Sequence, residues 1–122
     1  MWDELLIDSG LNEREVRSIM ILGSNPKMKA SELAKELNTT RLDAYNSLSR
    51  LQEMGIVTVT ADRPMLFSSL NVHQAIEHII DMRKQQLSRI TEGYEDLSKN
   101  IKTDEKKSSS DNRGIDDARF AV

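Results

Sequence analysis

The stretch SELAKELNTTRLDAYNSLSRLQEMG, residues 31–55, decides the fold. Leu33, Ala34 and Leu37 recur at helical spacing and define a short helix that Asn38 closes. Thr40, with Asp43 three residues on, has the form of a helix start. The helix it opens runs to Met54 and stops at Gly55. Only Asn38, Thr39 and Thr40 separate the two helices, which is the spacing of a helix-turn-helix.

The flanks complete the unit. Upstream, Asn12 with Glu15 is close to a capping box, followed by Val16, Ile19, Met20 and Leu22 on one side. Gly23-Ser24-Asn25-Pro26 ends that helix. Before it, Trp2, Leu5, Leu6 and Leu11 lie at near-helical spacing, broken by Ser9-Gly10. Downstream, Ile56 to Thr60 reads as a strand, Ala61 to Pro64 as a turn, and Met65 to Ser69 as a return strand. The expected fold is mainly α with a small β-hairpin wing: a winged helix-turn-helix followed by a long C-terminal dimerisation helix.

Sorting the third of these helices at 100° per residue gives it two faces. Ala44, Leu48 and Leu51, with Tyr45 at the edge, should pack inward. Leu42, Asp43, Asn46, Ser49 and Arg50 should face out. On duplex DNA, Asn46 would pair with adenine, Arg50 would reach guanine or phosphate, and Leu42 would meet a thymine methyl. Thr39, Thr40 and Arg41 stand at the helix start, where phosphate is commonly held. A polar outer face is also what any solvated helix presents.

From Asn71 to about Ile101 the chain has no Pro and one Gly, and reads as a single helix. Its apolar seam is Ile76, Ile80, Leu87, Ile90, Tyr94, Leu97 and Ile101, spaced alternately by four and three with one interruption at Arg83. A helix of that length is ~45 Å long, more than so small a domain can cover. A second copy is the simplest partner, so a homodimer is expected. Trp2, Leu5 and Leu6 are candidates to fold back onto the seam. The expected organisation is 1–70 winged helix, 71–101 dimerisation helix and 102–122 disordered tail, the tail carrying Ser108-Ser109-Ser110.

The 122 residues suffice for one domain plus an extension. With 38% hydrophobic residues and 4% aromatic, the core must be mainly aliphatic. No apolar run approaches the ~20 residues of a membrane span. Met1-Trp2-Asp3-Glu4 lacks the features of a secretory signal. The sequence has no cysteine, which excludes disulfides and thiolate metal sites. A cytoplasmic protein is expected, with no membrane partner. His73 and His78 are five apart, ~140° around a helix, and cannot chelate one ion together. Glu77 and Asp81 share a face as solvated charge. With no phosphate loop, nucleophile motif or metal signature, no enzyme, metal or cofactor is expected. The net charge of −3 cuts against DNA, since binders usually show a basic face.

The order of these elements resembles the DNA-binding domain of the TrmB family of archaeal transcriptional regulators. The resemblance rests on Leu11-Asn12-Glu13-Arg14-Glu15, Ala30-Ser31-Glu32-Leu33-Ala34, Arg41, Ala44-Tyr45, Leu48, Leu51, Gly55-Ile56-Val57 and the wing turn Asp62-Arg63-Pro64. It implies promoter recognition by the third helix and wing, through Arg41, Asn46, Arg50 and Arg63. Full members carry a C-terminal sugar-binding domain, and this sequence ends before one, so no sugar effector is expected. Family wings tend to be basic after the Pro, where this one has Met65-Leu66-Phe67. Phe67 suits the core. Met65 and Leu66 keep a second reading open, a winged helix that contacts protein within the transcription machinery.

Overall fold

A computed structural model describes residues 1–108, with side chains described through Ile101. Each helix starts and stops where the local chemistry demands. α1 spans Trp2–Asp8 and α2 spans Glu13–Ser24. The Asn12 side chain accepts from the Glu15 amide at 2.8 Å, and the Glu15 carboxylate accepts from the Asn12 amide at 2.9 Å. That reciprocal cap satisfies two of the amides a helix start leaves free. Gly23 stays inside α2, which ends only before Asn25-Pro26.

α3 covers Ala30–Leu37 and ends on Asn38, left-handed at φ 56°. Asparagine tolerates that conformation better than most residues. α4 covers Arg41–Glu53, and the Thr40 hydroxyl caps it by accepting from the Asp43 amide at 3.1 Å. Gly55 follows at φ 80°, a region costly for any residue with a Cβ.

The hairpin is shorter than its β-branched sequence suggests. β1 is Val57–Val59 and β2 is Phe67–Ser69, antiparallel with Val57 opposite Ser69 and Val59 opposite Phe67. Thr60 closes the intervening loop: its amide donates to the Leu66 carbonyl and its hydroxyl accepts from the Leu66 amide, both at 3.0 Å. Phe67 also exchanges two backbone hydrogen bonds with Met28, at 2.7 and 3.1 Å. That bridge ties the hairpin to the segment before α3, a pairing no local pattern announces.

The chain divides after Arg83 into two units, Met1–Arg83 and Lys84–Val122. The first has one core, built from Leu6 of α1, Ile19 and Leu22 of α2, Leu33 and Leu37 of α3, Leu48 and Leu51 of α4, and Ile56, Val57 and Phe67 of the hairpin. Ala75, Ile76 and Ile79 join it from α5, the last helix among the described residues, which runs Val72–Ser108. The winged-helix fold expected from the sequence is therefore the fold observed.

Three expectations change. Ile76 is buried in the first unit's core, not free on a dimer seam, because the first turns of α5 pack on their own domain. Leu6 is likewise fully buried in that core. The long helix continues to Ser108 rather than stopping at Ile101. Lys, Asp and Glu, read as signs of a tail, are compatible with a solvated helix, and no Pro or Gly intervenes. The remainder of the expected disordered tail, 109–122, lies outside the described residues.

In the second unit Leu87, Ile90, Tyr94, Leu97 and Ile101 are all exposed, by 50–68%. At 100° per residue they fall within one stripe of the helix.

Candidate nucleic-acid interface

α4 presents a stripe of Leu42, Asn46 and Ser49, spaced four and three residues apart, with all three side chains exposed. Leu42 is 69% exposed, unusually open for a leucine on a domain otherwise well packed. Ala44, Leu48 and Leu51 hold the opposite face in the core, so the stripe's direction is fixed by burial.

Arg41 flanks the stripe on one side. Its guanidinium lies 5.7 Å from the Tyr45 ring centre, and Tyr45 in turn meets Phe67 edge-on at 6.0 Å. With Lys29, Ala30, Ser31, Tyr45, Arg63, Pro64 and Met65, Arg41 lines a cleft of about 290 Å³ between the start of α3, the start of α4 and the wing. None of the lining residues is acidic. Lys29, Arg41 and Arg63 form no ion pair among the described residues. In a chain of net charge −3, three unpaired cations gathered at one cleft form a local positive patch. At the start of α3 the Glu32 carboxylate already accepts from the Lys29 amide at 2.8 Å, so that helix end carries its own anion. Lys29 was not among the residues expected from the sequence. It precedes a helix start, but only the fold brings it beside the wing.

The other flank is occupied. The Asp43 carboxylate accepts from the Thr39 hydroxyl at 3.0 Å and lies 3.7 Å from Arg14. Thr39 and Thr40, expected at phosphate, thus have their hydroxyls engaged in holding the start of α4. Arg50 is bound inward as well. Its Nε is 3.6 Å from the Glu15 carboxylate, and its Nη2 donates to the Gly10 carbonyl at 3.3 Å.

Glu15 is buried, and Arg50 is the cation paired with it. Taking Arg50 away to a guanine would leave that carboxylate under-satisfied, at about 1–3 kcal/mol. A guanine contact returns about 1–3 kcal/mol, so the cost and the gain are of similar size. Arg50, expected as a base reader, is thus held by Glu15 and the Gly10 carbonyl, with its side chain 53% exposed.

Met65 is 40% exposed and lines the cleft, Leu66 is half-buried, and Phe67 is core. Arg83, the interruption in the apolar seam, donates to the Ser9 carbonyl at 2.7 Å. His78 donates from Nε2 to the Met54 carbonyl at 2.8 Å, and His73 lies 3.6 Å from Glu77 with its ring edge-on to Trp2. No group of three or more His, Asp or Glu among the described residues is placed to hold a metal ion. No helix among them is long and apolar enough to cross a membrane.

Solved structures share this architecture. TrmBL2, described as an archaeal chromatin protein with a novel mode of DNA binding, aligns over 91% of this chain with a TM-score of 0.75 and 16% identity. This chain spans only 43% of that protein's length. The transcriptional regulator Tm0710 from Thermotoga maritima aligns over 90% of this chain and 87% of its own, with a TM-score of 0.55 and 18% identity. The multiple antibiotic-resistance repressor from Listeria monocytogenes aligns over 88% and 84%, with a TM-score of 0.52 and 20% identity. At these identities the likeness is one of fold. No curated protein matches the chain. The family described as sugar-specific transcriptional regulator TrmB matches residues 5–73, from α1 to the start of α5. That match takes in more than half of the sequence, all of the helix-turn-helix and all of the wing, and the chain belongs to the TrmB family of transcriptional regulators.

Proposed function

We propose that this chain regulates transcription by binding duplex DNA as a homodimer, with α4 in the major groove and the wing against the flanking backbone. The observation that carries the reading is the cleft between α3, α4 and the wing, where Lys29, Arg41 and Arg63 converge without acidic partners. Three cations crowd one concavity while acidic residues outnumber basic ones overall, so the potential there is locally positive. A phosphate backbone supplies the missing anions. Leu42, Asn46 and Ser49 lie beside that cleft, where base edges would be. The homodimer rests on the exposed apolar stripe from Leu87 to Ile101, which a second copy would cover.

The test is affinity for a duplex of about 30 base pairs, long enough for two half-sites, measured between about 50 and 200 mM salt. Log affinity should fall linearly with log salt. Arg63→Ala should flatten the slope by about 0.9 for each phosphate it no longer neutralises, so by about 1.8 for a dimer. Absence of binding at the lowest salt would refute the reading and leave the exposed Leu42 and Met65 to a protein partner.

A further inference from the structure

We propose that the reading face of α4 selects A·T base pairs in the major groove, with Asn46 and Leu42 as the selecting side chains and Arg50 taking no part. The inference rests on the DNA-binding reading above and names the base chemistry that reading would recognise.

Donor supply decides which base pair this face can read. In the major groove guanine offers two acceptors, N7 and O6, and the side chains that satisfy both are Arg and Lys. Adenine offers an acceptor beside a donor, the pattern a carboxamide complements, and thymine adds a methyl group. The exposed stripe of α4 holds Leu42, Asn46 and Ser49, and no lysine or arginine. The two cations nearest in sequence are turned to either side. Arg41 faces the wing cleft over Tyr45, and Arg50 is held by the buried Glu15 and the Gly10 carbonyl. Asn46 has no hydrogen bond to other parts of the protein among the described residues, so both ends of its amide are available. Leu42 exposes apolar surface that a methyl group, and no guanine or cytosine edge, would bury. Glu53, the next residue of the stripe, sits in the last turn of α4, away from the N-terminal half that usually enters the groove.

The experiment is competition against a labelled duplex of mixed sequence, using unlabelled duplexes of about 30 base pairs with cores of A·T pairs only, G·C pairs only, or inosine·cytosine pairs only. Inosine·cytosine presents the major-groove edge of G·C and the minor-groove edge of A·T, so it separates the two grooves. Wild type should favour the A·T core at least about fivefold over both others. Asn46→Ala should reduce that ratio, and Arg50→Gln should leave it unchanged. Replacing thymine by uracil removes the methyl group, and should weaken binding of wild type but not of Leu42→Ala. Equal affinity for all cores would overturn the inference while leaving DNA binding intact. So would an inosine·cytosine core that competes like A·T, or a preference for G·C that Arg50→Gln abolishes. No binding to any core would overturn the DNA-binding reading itself.

Discussion

Placing a methyl group on Gly55 should be among the costliest small changes in the first unit, and the structure says why. Gly55 sits at φ 80°, and a Cβ there would lie 2.8 Å from Nε2 of His78. The left-handed backbone alone costs an L-residue about 1–2 kcal/mol. The clash adds the hydrogen bond that Nε2 donates to the Met54 carbonyl at 2.8 Å, about 0.5–1.5 kcal/mol. Gly55→Ala should therefore destabilise by roughly 2–3 kcal/mol, a fall of roughly 10–20 °C in melting temperature for a domain of this size. The assay is a double-mutant cycle with His78→Ala, followed by thermal or urea unfolding at one protein concentration, so that any association is held constant. In the His78→Ala background the clash and the bond are both gone, and Gly55→Ala should cost only its backbone share. The coupling should be about 1 kcal/mol, clear of the ~0.5 kcal/mol within which distant mutations add. Strict additivity would refute the contact, and a neutral Gly55→Ala would refute the backbone argument too.

Two further outcomes follow from the second unit. Leu87→Ala with Ile90→Ala should convert a dimer to a monomer in sedimentation, since each truncation at a buried seam costs about 2–5 kcal/mol and symmetry imposes it twice; a wild-type monomer at tens of micromolar would remove the dimer. Gly93→Ala should raise the helical signal and stabilise by about 0.5–1 kcal/mol, because nothing lies within 4 Å of its would-be Cβ and glycine is a poor mid-helix residue; a loss of stability there would mean that a neighbouring helix comes close to Gly93.

What the sequence determined by itself was whatever short range could settle. The caps at Asn12 and Thr40, the left-handed stop at Asn38 and the glycine at 55 each act within four residues, and all are visible in the order of the letters. Apolar periodicity then set which side of α2, α3 and α4 turns inward, except at Met20, which is exposed, and the winged helix followed from the order of elements. Tertiary structure decided how side chains far apart in sequence share partners. Arg50 looked free to read a base until Gly10, forty residues away, and the buried Glu15 were found to hold it. Ile76 fitted the heptad seam equally well in either role, because 3.6 and 3.5 periods barely separate over two turns, and only packing assigned it to the domain core. Met28 joined Phe67, and Lys29 came to face Arg41 and Arg63, through chain closure that no local propensity encodes. Charge and hydrogen bonding are properties of neighbours in space, and neighbours in space are what folding chooses.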